Sequence, residues 1–246
     1  MRSTPQRIAL LIDADNAHAG ALDAVLNDLA TYGETNVRRA YGNWDQPNLA
    51  PWKELLHKRA IRPMQQYDLS RGKNATDMAL VVDAVALLYT DRPDAFAIVS
   101  SDADFTPLVM HLREKGAAVY GFGDARTPEP LVSACSRFVR IDRLVAAVEA
   151  EQDEQPKPPK RPTANELKGD TGLVNLLRKA VRAAADESGW ATVHASRQHI
   201  GNQSSFDPRN YGHPTMSSLL KATDLFEMRA EGKPGVSVRD KRLARN

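Results

Sequence analysis

Cysteine is almost absent: Cys135 stands alone in 246 residues. One thiol excludes an intramolecular disulfide and any cysteine-rich zinc site. The six histidines show no ligand spacing either. No window approaches the roughly 20 apolar residues that a bilayer span needs. The opening MRSTPQRIALLIDAD enters a strand too soon to be a signal peptide. No internal repeat of fixed period is present. A chain without disulfides, leader or membrane span is expected in the cytoplasm, away from membranes. Excess charge is also lacking, since the net value is +2. The balance is uneven, however. Residues 1–150 hold 17 Lys and Arg against 19 Asp and Glu, whereas residues 164–246 hold 13 against nine. The C-terminal part is the mildly basic one, which permits an anionic partner without requiring it.

What is present is a core-forming composition, 42% hydrophobic and 26% charged, in a length that suits one large domain or two ordinary ones. The stretch 151–163, EQDEQPKPPKRPT, holds four prolines and almost nothing apolar. It cannot contribute to a core and reads as a semi-rigid linker. The expected division is therefore a domain over 1–150, the linker, and a second domain over 164–246.

Before the linker, strand and helix patterns alternate. Strands are expected at 8–12, 37–41, 61–66, 95–99, 117–122 and 138–141. Helices are expected at 21–30, 49–60, 75–89, 106–115 and around Leu131. In the helix at 75–89, Met78, Val81, Val82, Val85 and Leu88 share a face. Continuous apolar strands separated by helices indicate an α/β fold with a doubly wound, mostly parallel sheet. Such sheets bind ligands beyond the carboxyl ends of their strands. After the linker, the pattern predicts a long helix over 167–185, helices at 193–200 and 215–222, and strands at 225–229 and 236–239. That is a small winged-helix α+β domain.

Three segments carry carboxylates to one sheet edge. Strand 8–12 runs into Asp13-Ala14-Asp15-Asn16. Strand 95–99 runs into Ser100-Ser101-Asp102-Ala103-Asp104. Helix 75–89 opens with Asn74-Ala75-Thr76-Asp77. Each acid also has an ordinary reading: Asp104 as a helix cap, Asp77 as a first-turn acid, Asp15 as an exposed loop residue, Asp83 as structural or exposed. Together they make a set whose mutual repulsion a divalent cation would relieve. Oxygen-only donors favour Mg²⁺ or Mn²⁺ over Zn²⁺. Such an ion acidifies water and stabilises charge on a phosphate.

The segments IALLIDADNA, GKNATDMALVVDAV and AFAIVSSDADFTPLVMHLREKGAAVYGFG resemble, in order and spacing, the NYN domain, a branch of the PIN-like nucleases. The resemblance covers about residues 6–147. It implies a metal-dependent ribonuclease using Mg²⁺ or Mn²⁺, with Asp13, Asp77, Asp102 and Asp104 as the acidic set, catalytic and metal-holding. It implies Asn16 and Ser101 as polar supports for metal or phosphate. The segment from Gly189 to Asp240, carried by FDPRNYG, SSLL and LFE, is similar to the OST-HTH, or LOTUS, domain. The similarity extends over about 164–240. It implies a winged helix associated with RNA and sometimes with protein partners.

Cations and flat side chains would serve an RNA substrate. Arg71 and Lys73 precede Asp77. Trp44 follows the second strand and emerges at the same edge, where it would stack a base or pack beneath a loop. In the C-terminal part, Arg209, Tyr211 and Lys221 are candidate RNA contacts, while Trp190 and Phe206 read as core. Two other functions stay open. One is a non-catalytic RNA-binding or regulatory adaptor. The other is a haloacid-dehalogenase-type phosphatase, whose opening pattern Asp13-Ala14-Asp15 resembles. Against the latter, Ala17 stands where those enzymes carry Thr or Ser, and no cap-sized insertion exists.

Overall fold

The computed structural model describes residues 5–67, 75–152, 162–201, 205–229 and 235–243. It divides into two compact units, 1–148 and 149–246.

In the first unit the elements follow in the order β1 (Gln6–Asp13), α1 (Leu22–Leu29), β2 (Gly33–Gly42), α2 (Ala50–Lys58), β3 (Arg62–Gln65), α3 (Ala75–Thr90), β4 (Ala95–Val99), α4 (Thr106–Glu114), β5 (Ala118–Gly123), α5 (Glu129–Ala134), β6 (Arg137–Arg140) and α6 (Ile141–Gln152). The six strands form one sheet in the order β3-β2-β1-β4-β5-β6. Every neighbouring pair is parallel.

The apolar runs explain this arrangement. Parallel strands joined by crossover helices are covered on both faces, so they carry no polar alternation. In β1, Ile8, Leu10 and Ile12 enter one core with Leu22, Val25 and Leu29 of α1 and Trp52 and Leu56 of α2. Ala9 and Leu11 enter the opposite core with Leu80, Ala84 and Leu87 of α3 and Leu108 and Leu112 of α4. The chain winds one way from β1 to β3 and the other way from β4 to β6. Strand order therefore reverses between β1 and β4, and a crevice opens there at the carboxyl edge.

One expectation is overturned in part in α3. Met78 and Val82 are 60% and 64% exposed. Val81, Val85 and Leu88 do pack on the core, and Thr76, Leu80, Ala84 and Leu87 complete the inner face. The helix is apolar on nearly every side, so periodicity alone does not identify the face that packs. Asp83 is structural: it pairs with Arg39 and accepts from the hydroxyl of Tyr41, both on β2. Cys135 is buried, with its thiol donating to the Leu131 carbonyl at 3.3 Å, and burial pushes its pKa up to about 12. Gly121 leaves the room: a Cβ there would come within 2.6 Å of the Cys135 sulfur.

The second unit continues with α7 (Ala164–Gly169), α8 (Thr171–Ala183), β7 (Ala191–Thr192), α9 (Val193–Gly201), α10 (Met216–Ala222), β8 (Phe226–Arg229) and β9 (Ser237–Asp240). Its three strands run in the order β7-β9-β8 and pair antiparallel. The helix expected over 167–185 is two helices. Asp170 has extended backbone at ψ 92° and accepts the Leu173 N–H at 2.9 Å, so it ends α7 and caps α8. Leu167, Leu177, Ile200, Leu219, Leu220, Phe226 and Val238 form the core. The short strand β7 is an addition to the sequence reading. Helices reach both ends of the expected linker, whose residues 153–161 lie outside the described ones.

Candidate active site

At the crevice between β1 and β4 the ends of the two acid-bearing strands lie side by side. Ile12 is in register with Val99, so the next residues, Asp13 and Ser100, lie level across the seam. Asp13 is fully buried. A buried carboxylate requires partners. It accepts from Ser100 Oγ at 2.8 Å, from Asn16 Nδ2 at 2.9 Å and from the Asn16 N–H at 3.3 Å. Burial still outweighs these bonds and raises its pKa.

Past β4 the chain turns on its own polar groups. The Asp102 N–H donates to Ser100 Oγ at 3.1 Å, and the Asp102 carboxylate accepts the Asp104 N–H at 2.9 Å. Asp102 thus caps the short 3-10 turn Ala103–Phe105 that leads into α4. Asp104 is exposed beyond it. From the other side, the first turn of α3 delivers Asp77. Its pKa is pushed up to about 6, chiefly by burial and then by Asp13, Asp102, Asp104 and Asp15. Four other carboxylates therefore lie within electrostatic reach of Asp77. Asp15 belongs to the set, although exposed, since it accepts from Thr76 Oγ1 at 2.8 Å.

Whole-chain comparisons extend this geometry. The NYN domain matches residues 7–142, a span that takes in all five acids and the six-stranded sheet. The chain belongs to the NYN-domain family. This is a PIN-like nuclease fold. The OST-HTH/LOTUS domain matches residues 168–238, within the second unit. An uncharacterized protein of Methanocaldococcus jannaschii is 29% identical over 126 residues, which is 50% of this chain and 49% of that protein. The chain thus spans about half the length of this curated relative. A crystal structure of a protein of unknown function from Vibrio parahaemolyticus aligns with a TM-score of 0.48 and 22% identity, covering 58% of this chain and 97% of that one. Among the described residues, no helix is long and apolar enough to cross a membrane.

Within the NYN domain, does the acidic edge suit a metal? Among the described residues, no three acidic, imidazole or thiol groups are drawn together tightly enough to enclose an ion. The donor chemistry fits nonetheless. The groups are all carboxylates, four of them help to raise the pKa of Asp77, and oxygen donors of this kind suit a hard divalent cation.

Other sequence-derived residues fall elsewhere. The Ser101 hydroxyl, expected as a support for metal or phosphate, is engaged with the end of β5. Its Oγ accepts the Asp124 N–H at 2.9 Å and so ties the β4 end to the β5 end. Ser100 does the supporting, and the sequence reading gave it no role. Trp44 is only 9% exposed and lies in the core beside Leu49 and Trp52, so it offers no face for base stacking. Arg71 and Lys73 lie outside the described residues.

In the OST-HTH/LOTUS domain, Arg209 is committed to Asp207. Its Nε and Nη2 donate at 3.0 and 2.8 Å to a fully buried carboxylate. Tyr211 stacks on Phe206 with ring centroids 5.6 Å apart, and both pack partly buried on the core. Lys221 is exposed in the last turn of α10. Trp190 is half-buried rather than core. The guanidinium groups of Arg229 and Arg239 lie over its ring, 4.2 and 4.8 Å from the centroid.

Proposed function

We propose that this protein is a divalent-cation-dependent ribonuclease that cleaves RNA phosphodiester bonds at the acidic edge between β1 and β4. The observation that carries this reading is the arrangement of the acids at one edge, where the Ser100 hydroxyl bonds both the Asp13 carboxylate and the Asp102 N–H, and Thr76, next to Asp77, bonds Asp15. Evolutionarily neutral folding would gain nothing from such a concentration, because like charges oppose compaction.

Asp13, Asp77 and Asp102 would hold Mg²⁺ or Mn²⁺, with Asp104 completing the site. A bound ion of this kind supplies Lewis-acid stabilisation of phosphate charge and acidifies water. The chain's own residues set the geometry. Ser100 and Asn16 fix both oxygens of Asp13, and the Asp104 N–H fixes Asp102. Thr76 holds Asp15 toward the site. The second unit would recruit RNA, with Lys221 on its exposed surface and a protein partner as a further ligand of the same module.

The test is cleavage of a mixed panel of labelled RNAs in Mn²⁺, in Mg²⁺ and in EDTA, beside Asp13→Asn/Asp102→Asn. Cleavage that requires the cation and disappears in the double variant is the expected result. RNA binding without cleavage in any condition would instead make the protein an adaptor.

A further inference from the structure

A cavity of about 550 Å³ opens beside the acids, between the β1–α1 connection and the start of α2. Its size falls within the range of about 300–1,000 Å³ that holds ligands larger than water or a single ion. Leu49 and Trp52, 2% and 3% exposed, form its buried side. Ala17 and Ala19 keep it open by their small size. Asn48, His18 and Arg126, all exposed, stand at its rim.

Two features decide what would fit. The first is Asp15, which lines the cavity and accepts from Thr76 Oγ1 at 2.8 Å, next to Asp77. The cavity and the acidic edge therefore share a wall. A carboxylate in that wall disfavours an anionic group deep inside, whereas a neutral flat group is accepted. The second is the chemistry around the opening. The amides of Asn16 and Asn48 both donate and accept, as the edge of a nucleobase does. The Arg126 guanidinium is 87% exposed and is steadied by Asp124, with Nη2 and Nε at 2.9 and 3.2 Å from one carboxylate oxygen. A planar cation placed at a rim suits a phosphate left outside.

We infer that this cavity is a nucleoside subsite, seating one base and its ribose from the RNA strand whose phosphate lies at the acids. The identity of the strand rests on the ribonuclease reading, while occupation of the cavity does not require cleavage. Apolar walls would take the base face, the amides its edge, and Arg126 the neighbouring phosphate.

The experiment is calorimetric titration of the full chain in EDTA with adenosine and cytidine 5′-monophosphates and with the corresponding RNA trinucleotides. Wild type is compared with Ala17→Leu, which fills the cavity, and with Asn48→Leu, which removes a rim amide. Circular dichroism establishes that each is folded; if Ala17→Leu is not, the exposed position 48 carries the test. Expected is saturable binding to wild type that weakens about tenfold in the variants for mononucleotide and trinucleotide alike. Absence of binding up to about 10 mM overturns the inference, as does binding that both variants retain. Weakening confined to free mononucleotides would overturn the assignment to the RNA strand. Failure of the nuclease reading is separable, since it would appear as intact nucleotide binding without metal-dependent cleavage.

Discussion

Ser100 Oγ donates to Asp13 Oδ2 at 2.8 Å, and this one bond ties the ends of the two central strands together at the point where strand order reverses. The same oxygen accepts the Asp102 N–H at 3.1 Å. One hydroxyl thus positions two of the acids. Ser100→Ala removes both bonds and leaves a buried carboxylate short of a donor. The expected loss is about 1–3 kcal/mol of stability, read by urea denaturation, with cleavage falling alongside it. Ser101→Ala frees only the Asp124 N–H and should lose less than half as much.

Asp77 makes the metal-free protein pH-dependent. Its folded pKa, about 6, lies above the ordinary carboxyl value of 3.8. Folding therefore favours the protonated form. No penalty exists below the unfolded value, the penalty grows between the two, and it is complete above about pH 6. The group is half-exposed, so solvent reduces the effect to about 1 kcal/mol. Thermal melts in EDTA should show Asp77→Asn gaining on wild type from pH 4 to pH 7. A constant difference across that range would refute the electrostatic account.

Divalent cations should act in the opposite direction. Mn²⁺ or Mg²⁺ bound only by the folded state raises the melting temperature. The rise should be larger at pH 7 than at pH 5, where protons compete for Asp77, and EDTA should reverse it. Asp77→Asn and Asp102→Asn should each blunt it. A melting temperature indifferent to cations at pH 7 would count against the metal reading.

Asp83 provides the contrast. It lies on the same helix as Asp77 but pairs with Arg39 and Tyr41 of β2. Asp83→Asn leaves the Arg39 guanidinium, 21% exposed, without its counter-charge. A loss of about 2 kcal/mol is expected, while the cation-induced rise in melting temperature persists in the folded fraction. Loss of the cation response at unchanged stability would move Asp83 into the site.

Trp44 and Arg209 test the two corrected RNA contacts. Trp44→Ala should cost about 3–5 kcal/mol by opening a cavity. Arg209→Ala strands the buried Asp207 carboxylate and should cost the second unit about 3 kcal/mol or more. Both losses would appear in calorimetry before any RNA is added. Weakened RNA binding at wild-type stability would restore the base-stacking and phosphate-contact readings.

Much of this molecule follows from sequence alone. Apolar runs such as Ile8–Ile12 and Ala95–Val99 declare strands covered on both faces, because backbone groups must be paired and only crossover helices can supply two covers. Acids placed just past those runs mark the candidate edge, since side chains at strand ends are the ones a crevice can use. The tertiary structure decided what direction and register control. The α3 helix is apolar nearly all round, so only its neighbours selected Leu80, Ala84 and Leu87 for the core and left Met78 and Val82 outside. Two serines follow β4, and successive side chains diverge there. The pairing of Ile12 with Val99 gave Ser100 to Asp13, while Ser101 went to Asp124. Asp15 joined the site because Thr76, 61 residues away, donates to it. Spacing along a chain cannot express such contacts, which exist only once distant segments share an edge.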